Sequence, residues 1–261
     1  MSVRRAGGVE PVVRAVERAL ADDLPKTYSH LVSLDFSNAF NTVDRRELAA
    51  GLRNFAPALY RAGRWIYGSP AQLAVTGADG AVDVLESSQG VRQGDPFGPL
   101  FFSVAVRRTL DDLVRYLGPD RLLLAYLDDI YVLSPDDQAF SEVQDFFDGR
   151  GSSLQLNVAK SKSHSLADIR SSGLELLGTA VGGPAFRRSF LEAKVDHQVG
   201  LLRSLGDLKS QHALLLLRFC IQQDLRHLQR TLRTDDLPGV WDDLDAALQE
   251  AALQLDRKSV V

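Results

Sequence analysis

Three aspartates carry the first chemical signal in this chain. Asp35 closes the apolar run L-V-S-L, and Asp128 and Asp129 interrupt a β-prone run in A-Y-L-D-D-I-Y-V-L-S. Charge beside buried surface is costly unless it is paired or binds a metal. All three fall where strands are expected to run out. Converging there, they would repel one another, and a divalent cation removes that repulsion. Hard cations such as Mg²⁺ prefer carboxylate and phosphate oxygens and keep water on the remaining positions. Two such ions about 3.5–4 Å apart stabilise the attacking and leaving oxygens of a phosphoryl displacement. Taken alone, an Asp-Asp pair also suits an ordinary hairpin turn, so the surroundings decide.

Five residues after Asp35 stands Phe40, in L-D-F-S-N-A-F-N-T-V. In a nucleotidyl-transfer site this position lies under the incoming sugar, where a bulky ring excludes a 2′-hydroxyl and favours deoxynucleotides. As a plain structural residue it is a core aromatic beside Ala39. S-S-Q-G-V-R-Q-G-D-P-F-G-P-L-F-F combines Gly90, Gly94, Pro96 and Pro99, a tight backbone ahead of a helix. Glycine lets a backbone approach a flat ligand closely, and Gln93 can donate and accept hydrogen bonds without adding charge. The alternative is a structural loop. In L-Q-L-N-V-A-K-S-K-S, Lys160 and Lys162 are cations in a polar turn, suited to neutralising a leaving pyrophosphate or simply to solvation.

The elements that must position these residues follow from the pattern. Val9–Leu24 reads as an amphipathic helix, with Val12, Val13, Val16, Ala19 and Leu20 at helical spacing. Asp44 and Glu47 have capping-box spacing ahead of a helix to about Phe55. Gln72–Val75 and Val82–Leu85 flank T-G-A-D-G, a hairpin signal. Leu100–Tyr116 and Phe140–Gly149 read as helices, Leu122–Leu127 and Ile130–Leu133 as strands meeting at the Asp pair, and Leu174–Val181 as a strand. Beyond Phe190 the pattern is helical to the end, broken at L-P-G (Leu237–Gly239).

The 261 residues suit one large domain or two small ones. A 45% hydrophobic and 25% charged composition is that of a globular chain able to bury a core. No apolar run is long enough to cross a bilayer, and no signal peptide is visible, so the expectation is an intracellular protein, nuclear or cytoplasmic. The single cysteine, Cys220, excludes an internal disulfide framework and a cysteine-rich zinc knuckle. Net charge is −4. A nucleic-acid partner therefore requires clustered cations.

Taken in order, L-D-F-S-N-A-F, Q-G-V-R-Q-G-D-P-F-G-P-L-F-F, A-Y-L-D-D, L-N-V-A-K-S and L-L-G-T resemble the successive palm motifs of reverse transcriptases, in the flavour of the non-LTR (LINE-type) retrotransposon branch. R-W-I-Y-G-S-P and L-L-L-L-R-F-C resemble eukaryotic members of that branch. The resemblance spans about residues 7–255. It implies an α+β fold: a palm, an antiparallel sheet backed by helices, at 29–185, followed by an all-helical thumb at 186–261. It also implies RNA-templated DNA synthesis from a primer 3′-hydroxyl, with an RNA template, a DNA primer and deoxynucleoside triphosphates as partners, and with two Mg²⁺ ions, or Mn²⁺ in their place. By motif position, Asp35 and Asp128 would bind the ions, Asp129 would complete the acidic cluster, and the backbone carbonyl of Phe36 would be a further ligand. Phe40 would be the sugar gate. Gln93 and Gly94 would contact the nascent base pair, Lys160 would sit near the pyrophosphate, and Leu177-Gly178 would lie at the primer grip. Arg187, Arg188, Lys194, Arg203 and Lys209 would be the thumb cations that meet phosphates.

Two departures from the family pattern stand out. The family's fingers place strands and triphosphate-holding cations before the first aspartate. Here 34 residues precede Asp35 and read mainly as one helix. Residues 1–28 are therefore expected to be a remnant of truncated fingers, with Arg4, Arg5 and Arg14 as candidate substitutes. Gly98-Pro99 stands where the family usually has Ser-Pro. An alternative is an inactive or repurposed fragment that only binds nucleic acid. Phe40 speaks against an RNA-dependent RNA polymerase, where an acidic residue would suit ribonucleotides.

Overall fold

The computed structural model describes residues 8–149 and 153–259, with 255–259 as helical backbone. Arg4 and Arg5 lie outside the described residues. The chain forms two compact units, one over Lys26–Ser165 and one joining 8–25 to 166–259.

The helix α1 (Glu10–Leu20) belongs to the second unit. The first unit then runs β1 (His30–Leu34), α2 (Ala39–Thr42), α3 (Arg45–Phe55), α4 (Tyr60–Tyr67), β2 (Ala71–Thr76), β3 (Val82–Ser87), α5 (Gly98–Leu117), β4 (Leu122–Tyr126), β5 (Asp129–Ser134), α6 (Ala139–Asp148) and β6 (Lys162–Ser165). Its sheet has the order β4-β5-β1-β6, with every neighbouring pair antiparallel. Val32 pairs with Val132 and Leu34 with Ile130. Period-2 alternation puts these four side chains on one face. There they share a core with Leu48 and Leu52 of α3, Phe101, Phe102 and Leu113 of α5, and Val143 and Phe146 of α6. The α3–α5 contact is close: a Cβ on Gly51 would stand 2.4 Å from the Val104 carbonyl oxygen. The T-G-A-D-G hairpin forms as expected, as a separate two-stranded sheet of β2 and β3.

Several expectations shift in detail. Asp44 does cap α3, accepting from the Arg46 N–H at 2.7 Å, but Glu47 does not complete a capping box. Its carboxylate accepts instead from the Ser153 hydroxyl. Lys162 is not in the polar turn but begins β6, opposite Ser33.

In the second unit follow α7 (Leu166–Ser172), β7 (Leu174–Leu176), β8 (Thr179–Val181), α8 (Pro184–Ser204), α9 (Ser210–Leu216), α10 (Gln222–Asp224), α11 (Arg226–Thr231) and α12 (Asp242–Ser259). The stretch expected as one strand over Leu174–Val181 is a hairpin, because Leu177 and Gly178 both adopt positive φ, 51° and 74°, and reverse the chain. The helix expected over Val9–Leu24 ends at Leu20, and Asp22 turns the chain with φ 54°. Leu191, Val195, Leu202, Leu217, Leu228 and Leu244 form the core of this unit. The apolar face of α1 (Val12, Val13, Val16 and Ala19) is buried. Glu10 pairs with Arg230 at 2.5 Å, and Arg170 donates to the Leu20 carbonyl at 2.7 Å. The compact units therefore divide the chain differently from the expected boundaries at 28/29 and 185/186: α1 and the β7–β8 hairpin are both part of the helical unit. No helix among the described residues is long and apolar enough to cross a membrane.

Candidate nucleotidyl-transfer site

Asp128 lies in the two-residue turn of the β4–β5 hairpin, and Asp129 is the first residue of β5, paired with Tyr126. Leu127, its neighbour in the turn, has φ 56°. A left-handed backbone is strained for leucine, and such strain gathers at functional turns. The Leu34–Ile130 pair sets the register of β1 on β5, so Asp35, one residue beyond, comes to the same sheet end as Asp129. None of the three carboxylates has a hydrogen-bond or ion-pair partner among the described residues. Asp129 holds its proton above the usual aspartate range. Burial of its surroundings is the main cause, and the charges of Asp128 and Asp35 add to it. Tyr131, two residues along β5, is pushed up by burial and then by Asp129.

Among the described residues no three acidic, histidine or cysteine side chains are grouped closely enough to hold a metal on their own. Mg²⁺ is usually held by one or two carboxylates together with substrate phosphates and water, not by an all-protein cage. The donors here are all hard oxygens, and the like charges of Asp128 and Asp35, which add to the burial that raises Asp129, are of the kind a cation relieves.

The backbone of Asp35 is fixed by the 155–161 segment. Its N–H donates to the Ser161 hydroxyl at 3.0 Å, its carbonyl accepts from the Asn157 N–H at 2.8 Å, and the Ser161 hydroxyl donates to the Asn157 carbonyl at 2.9 Å. Phe36 is buried, bridged to Leu156 and edge-on to Phe147 with ring centroids 5.2 Å apart. The bonds flanking this bridge run from Asn157 to the Asp35 carbonyl and from Ser37 to the Gln155 carbonyl, so the Phe36 carbonyl stands outside both. Lys160 is exposed, with its N–H turned back onto Asn157. Sequence reasoning reached this segment through its lysines. It missed Asn157 and Ser161, whose only signal was their place in L-N-V-A-K-S.

Phe40, on α2, stacks on Phe102 with centroids 4.2 Å apart and planes 11° apart, and is a partly buried residue packed against the core. The loop carrying Gln93 and Gly94 is fastened to the same element. Val91 N–H donates to the Phe40 carbonyl at 2.8 Å, and Gly90 N–H to the Val43 carbonyl at 2.9 Å. Gly90 has φ 70°, and a Cβ there would fall 2.4 Å from the Asn41 carbonyl oxygen, so no other residue fits. Arg45, which sequence reasoning passed over, donates to the carbonyls of Ser87, Gln89 and Gly90 at 2.8–3.1 Å. Gln93 and Gly94 are exposed at the loop tip.

The remaining candidates lie in the second unit. His227 Nε2 is 2.9 Å from the Leu177 carbonyl in the β7–β8 turn. Arg187 needs correction as a nucleic-acid contact. It is 3% exposed, donates to the Gly182 and Arg233 carbonyls, and forms a two-pronged pair with Asp236 at 2.8 and 2.5 Å. A guanidinium so enclosed has no donor facing a phosphate. Arg188 is half-buried, reaching the Pro238 carbonyl at 3.2 Å and Glu192 at 3.6 Å. Lys194, whose ammonium lies 5.5 Å from the Phe190 ring centroid, is exposed, as are Arg203, Lys209 and Arg14.

The model of the family described as reverse transcriptase (RNA-dependent DNA polymerase) matches residues 8–181. The chain is 30% identical over 135 residues to the retrotransposable element SLACS 132 kDa protein of Trypanosoma brucei gambiense, a match covering 51% of this chain and 11% of that protein. Apo telomerase from Candida tropicalis shares its fold at a TM-score of 0.56 and 13% identity, over 99% of this chain and 46% of that one. Telomerase from Candida albicans in complex with a TWJ fragment of telomeric RNA does so at 0.54 and 12%, over 98% and 43%. The chain thus spans less than half the length of these relatives. The mixed sheet-and-helix unit followed by helices is an α+β polymerase palm with its helical region. The chain belongs to the reverse transcriptase (RNA-dependent DNA polymerase) family.

Proposed function

We propose that this chain is the nucleotidyl-transfer core of a non-LTR retrotransposon-like reverse transcriptase, extending a primer 3′-hydroxyl with deoxynucleotides on an RNA template. One observation carries the reading: the strand register brings Asp35, Asp128 and Asp129 to one sheet end with no partner for their carboxylates among the described residues. Asp35 and Asp128 would hold two Mg²⁺ ions, with Asp129 and the Phe36 carbonyl completing the donor set. When bound, such ions make the primer hydroxyl a better nucleophile and stabilise charge on the transferring phosphoryl group. The chain's own residues do the rest. The Ser161 and Asn157 bonds keep Asp35 in place, Phe40 excludes a 2′-hydroxyl by bulk, Gln93 and Gly94 meet the nascent base pair, and Lys160 offsets the charge of the leaving pyrophosphate. Leu177-Gly178 would support the primer, and exposed Lys194, Arg203 and Lys209, with half-buried Arg188, would meet backbone phosphates without reading sequence.

The second reading, a fragment that only binds nucleic acid, is favoured by the exposed cations Lys194, Arg203 and Lys209, which can meet phosphate without any metal chemistry. Primer extension on poly-rA/oligo-dT with Mg²⁺ separates the two. Extension by the purified chain supports the first. RNA binding without extension supports the second.

A further inference from the structure

Tyr67 closes α4 and is 4% exposed, yet its hydroxyl is fully used. It donates to Asp95 Oδ2 at 2.5 Å and accepts from the Arg92 N–H at 3.0 Å. The guanidinium carbons of Arg45 and Arg92 lie 5.3 and 5.4 Å from its ring centroid, and Phe101 packs edge-on at 5.9 Å. The ring alone would satisfy the packing. The oxygen does something else, because it binds both ends of a short turn. Asp95 in turn accepts from the Phe97 N–H at 2.9 Å through Oδ1 and from the Gly98 N–H at 2.9 Å through its carbonyl, which sets the first residue of α5.

The loop is therefore held at two posts. On one side Gly90 and Val91 are fastened to the carbonyls of Val43 and Phe40, with Arg45 gripping the carbonyls of 87, 89 and 90. On the other side Arg92 and Asp95 are fastened to one phenol oxygen. Gln93 and Gly94 are what lies between them. Deleting the oxygen leaves the Asp95 carboxylate and the Arg92 N–H short of a partner, a loss concentrated at that tip.

We propose that Tyr67 is a positioning residue for nucleotide selection: through Asp95 and Arg92 its hydroxyl sets where the Gln93-Gly94 tip stands relative to Phe40. This rests on the polymerase reading above. Burial and the Asp95 acceptor hold the phenol above its usual range, so it remains a donor throughout ordinary assay conditions.

The test is steady-state primer extension on poly-rA/oligo-dT, with thermal melting measured alongside. Tyr67→Phe keeps the ring and removes the oxygen. Its KM for dTTP is expected to rise about tenfold with kcat within about twofold, and misincorporation should increase, while the melting temperature changes little. Asp95→Ala should raise KM similarly, and Asp95→Asn, which keeps one of the two acceptor oxygens that the Tyr67 O–H and the Phe97 N–H use, should fall between Asp95→Ala and wild type. A KM within about twofold of wild type in Tyr67→Phe overturns the proposal. So does an equal loss in kcat, RNA binding and melting temperature, the pattern of a purely structural residue. Failure of the wild-type chain to extend a primer removes the polymerase reading and this inference with it, which is a different result from an active wild type with an unaffected Tyr67→Phe.

Discussion

Asp129 and Asp236 are both solvent-reached aspartates beside short elements, and they are pulled in opposite directions. Asp236, in the helical unit, receives two guanidinium bonds from Arg187, which hold its carboxyl below the usual range. Asp129, at the end of the four-stranded sheet, has no cation beside it among the described residues, and burial first, then the like charges of Asp128 and Asp35, hold its carboxyl above the usual range. A carboxylate that serves the fold carries its counter-charge in the chain. On the proposed reading, one left uncompensated at a strand end, next to two more, takes its counter-charge from outside. The same contrast divides the cations. Arg187 is enclosed by carbonyls and Asp236, whereas Lys160 is exposed at the sheet unit's surface.

The comparison can be broken most forcefully at the carboxylates. Asp128→Ala should reduce primer extension by on the order of 10³ or more, because it removes fixed stabilisation of transition-state charge, while urea unfolding stays near wild type. A large drop in stability instead would make Asp128 a structural group like Asp236. Next in size is Arg187→Ala. Leaving Asp236 and two carbonyls without their donor should cost about 2 kcal/mol in urea unfolding, and the salt dependence of RNA binding should stay unchanged, since no phosphate contact is lost. A shallower salt slope with intact stability would return Arg187 to the nucleic-acid interface.

Phe40→Val should raise ribonucleotide incorporation about tenfold or more, measured as the ratio of rUTP to dTTP incorporation, and should cost about 1–2 kcal/mol through the lost stack on Phe102. Unchanged selectivity with the stability loss would leave Phe40 as core alone. The smallest effect lies in the pH dependence. Asp129 has a raised folded pKa, so its charge costs stability at neutral pH, and that cost is relieved as pH falls through the raised value. Asp129→Asn should therefore lift the melting temperature at neutral pH by about 1–3 °C, a gain that disappears towards the ordinary aspartate value of 3.8. Asp236 has the opposite sign: its pairing stabilises above the ordinary value and is lost as pH falls through the lowered one. Calorimetry of Asp129→Asn and Asp236→Asn across pH 3–7 should give slopes of opposite direction.

Strand and helix periodicity made most of this fold legible, since local pattern and burial agree for β1, α3, α5 and the β4–β5 hairpin. What escaped was long-range. Ser161 reaches the Asp35 backbone from 126 residues away, and Tyr67 reaches Asp95 from 28. Neither pairing leaves a local signature. Glu47 had the spacing of a cap but was taken by Ser153. Leu127 and Leu177 occupy left-handed turn positions where Gly or Asn would have announced a reversal, which is why Leu174–Val181 reads as one strand. Arg187 read as a thumb cation because a charge count cannot distinguish an enclosed guanidinium from a solvated one. The placement of Asp35 and Asp129 at one sheet end was legible because each closes or opens an apolar strand run in the sequence.

The most direct test is Mn²⁺ binding followed by electron paramagnetic resonance, with primer–template and dTTP present. The account predicts uptake of two ions per chain by the wild type, lost in Asp35→Asn and Asp128→Asn with melting temperatures maintained. Equal uptake by wild type and both variants would contradict it.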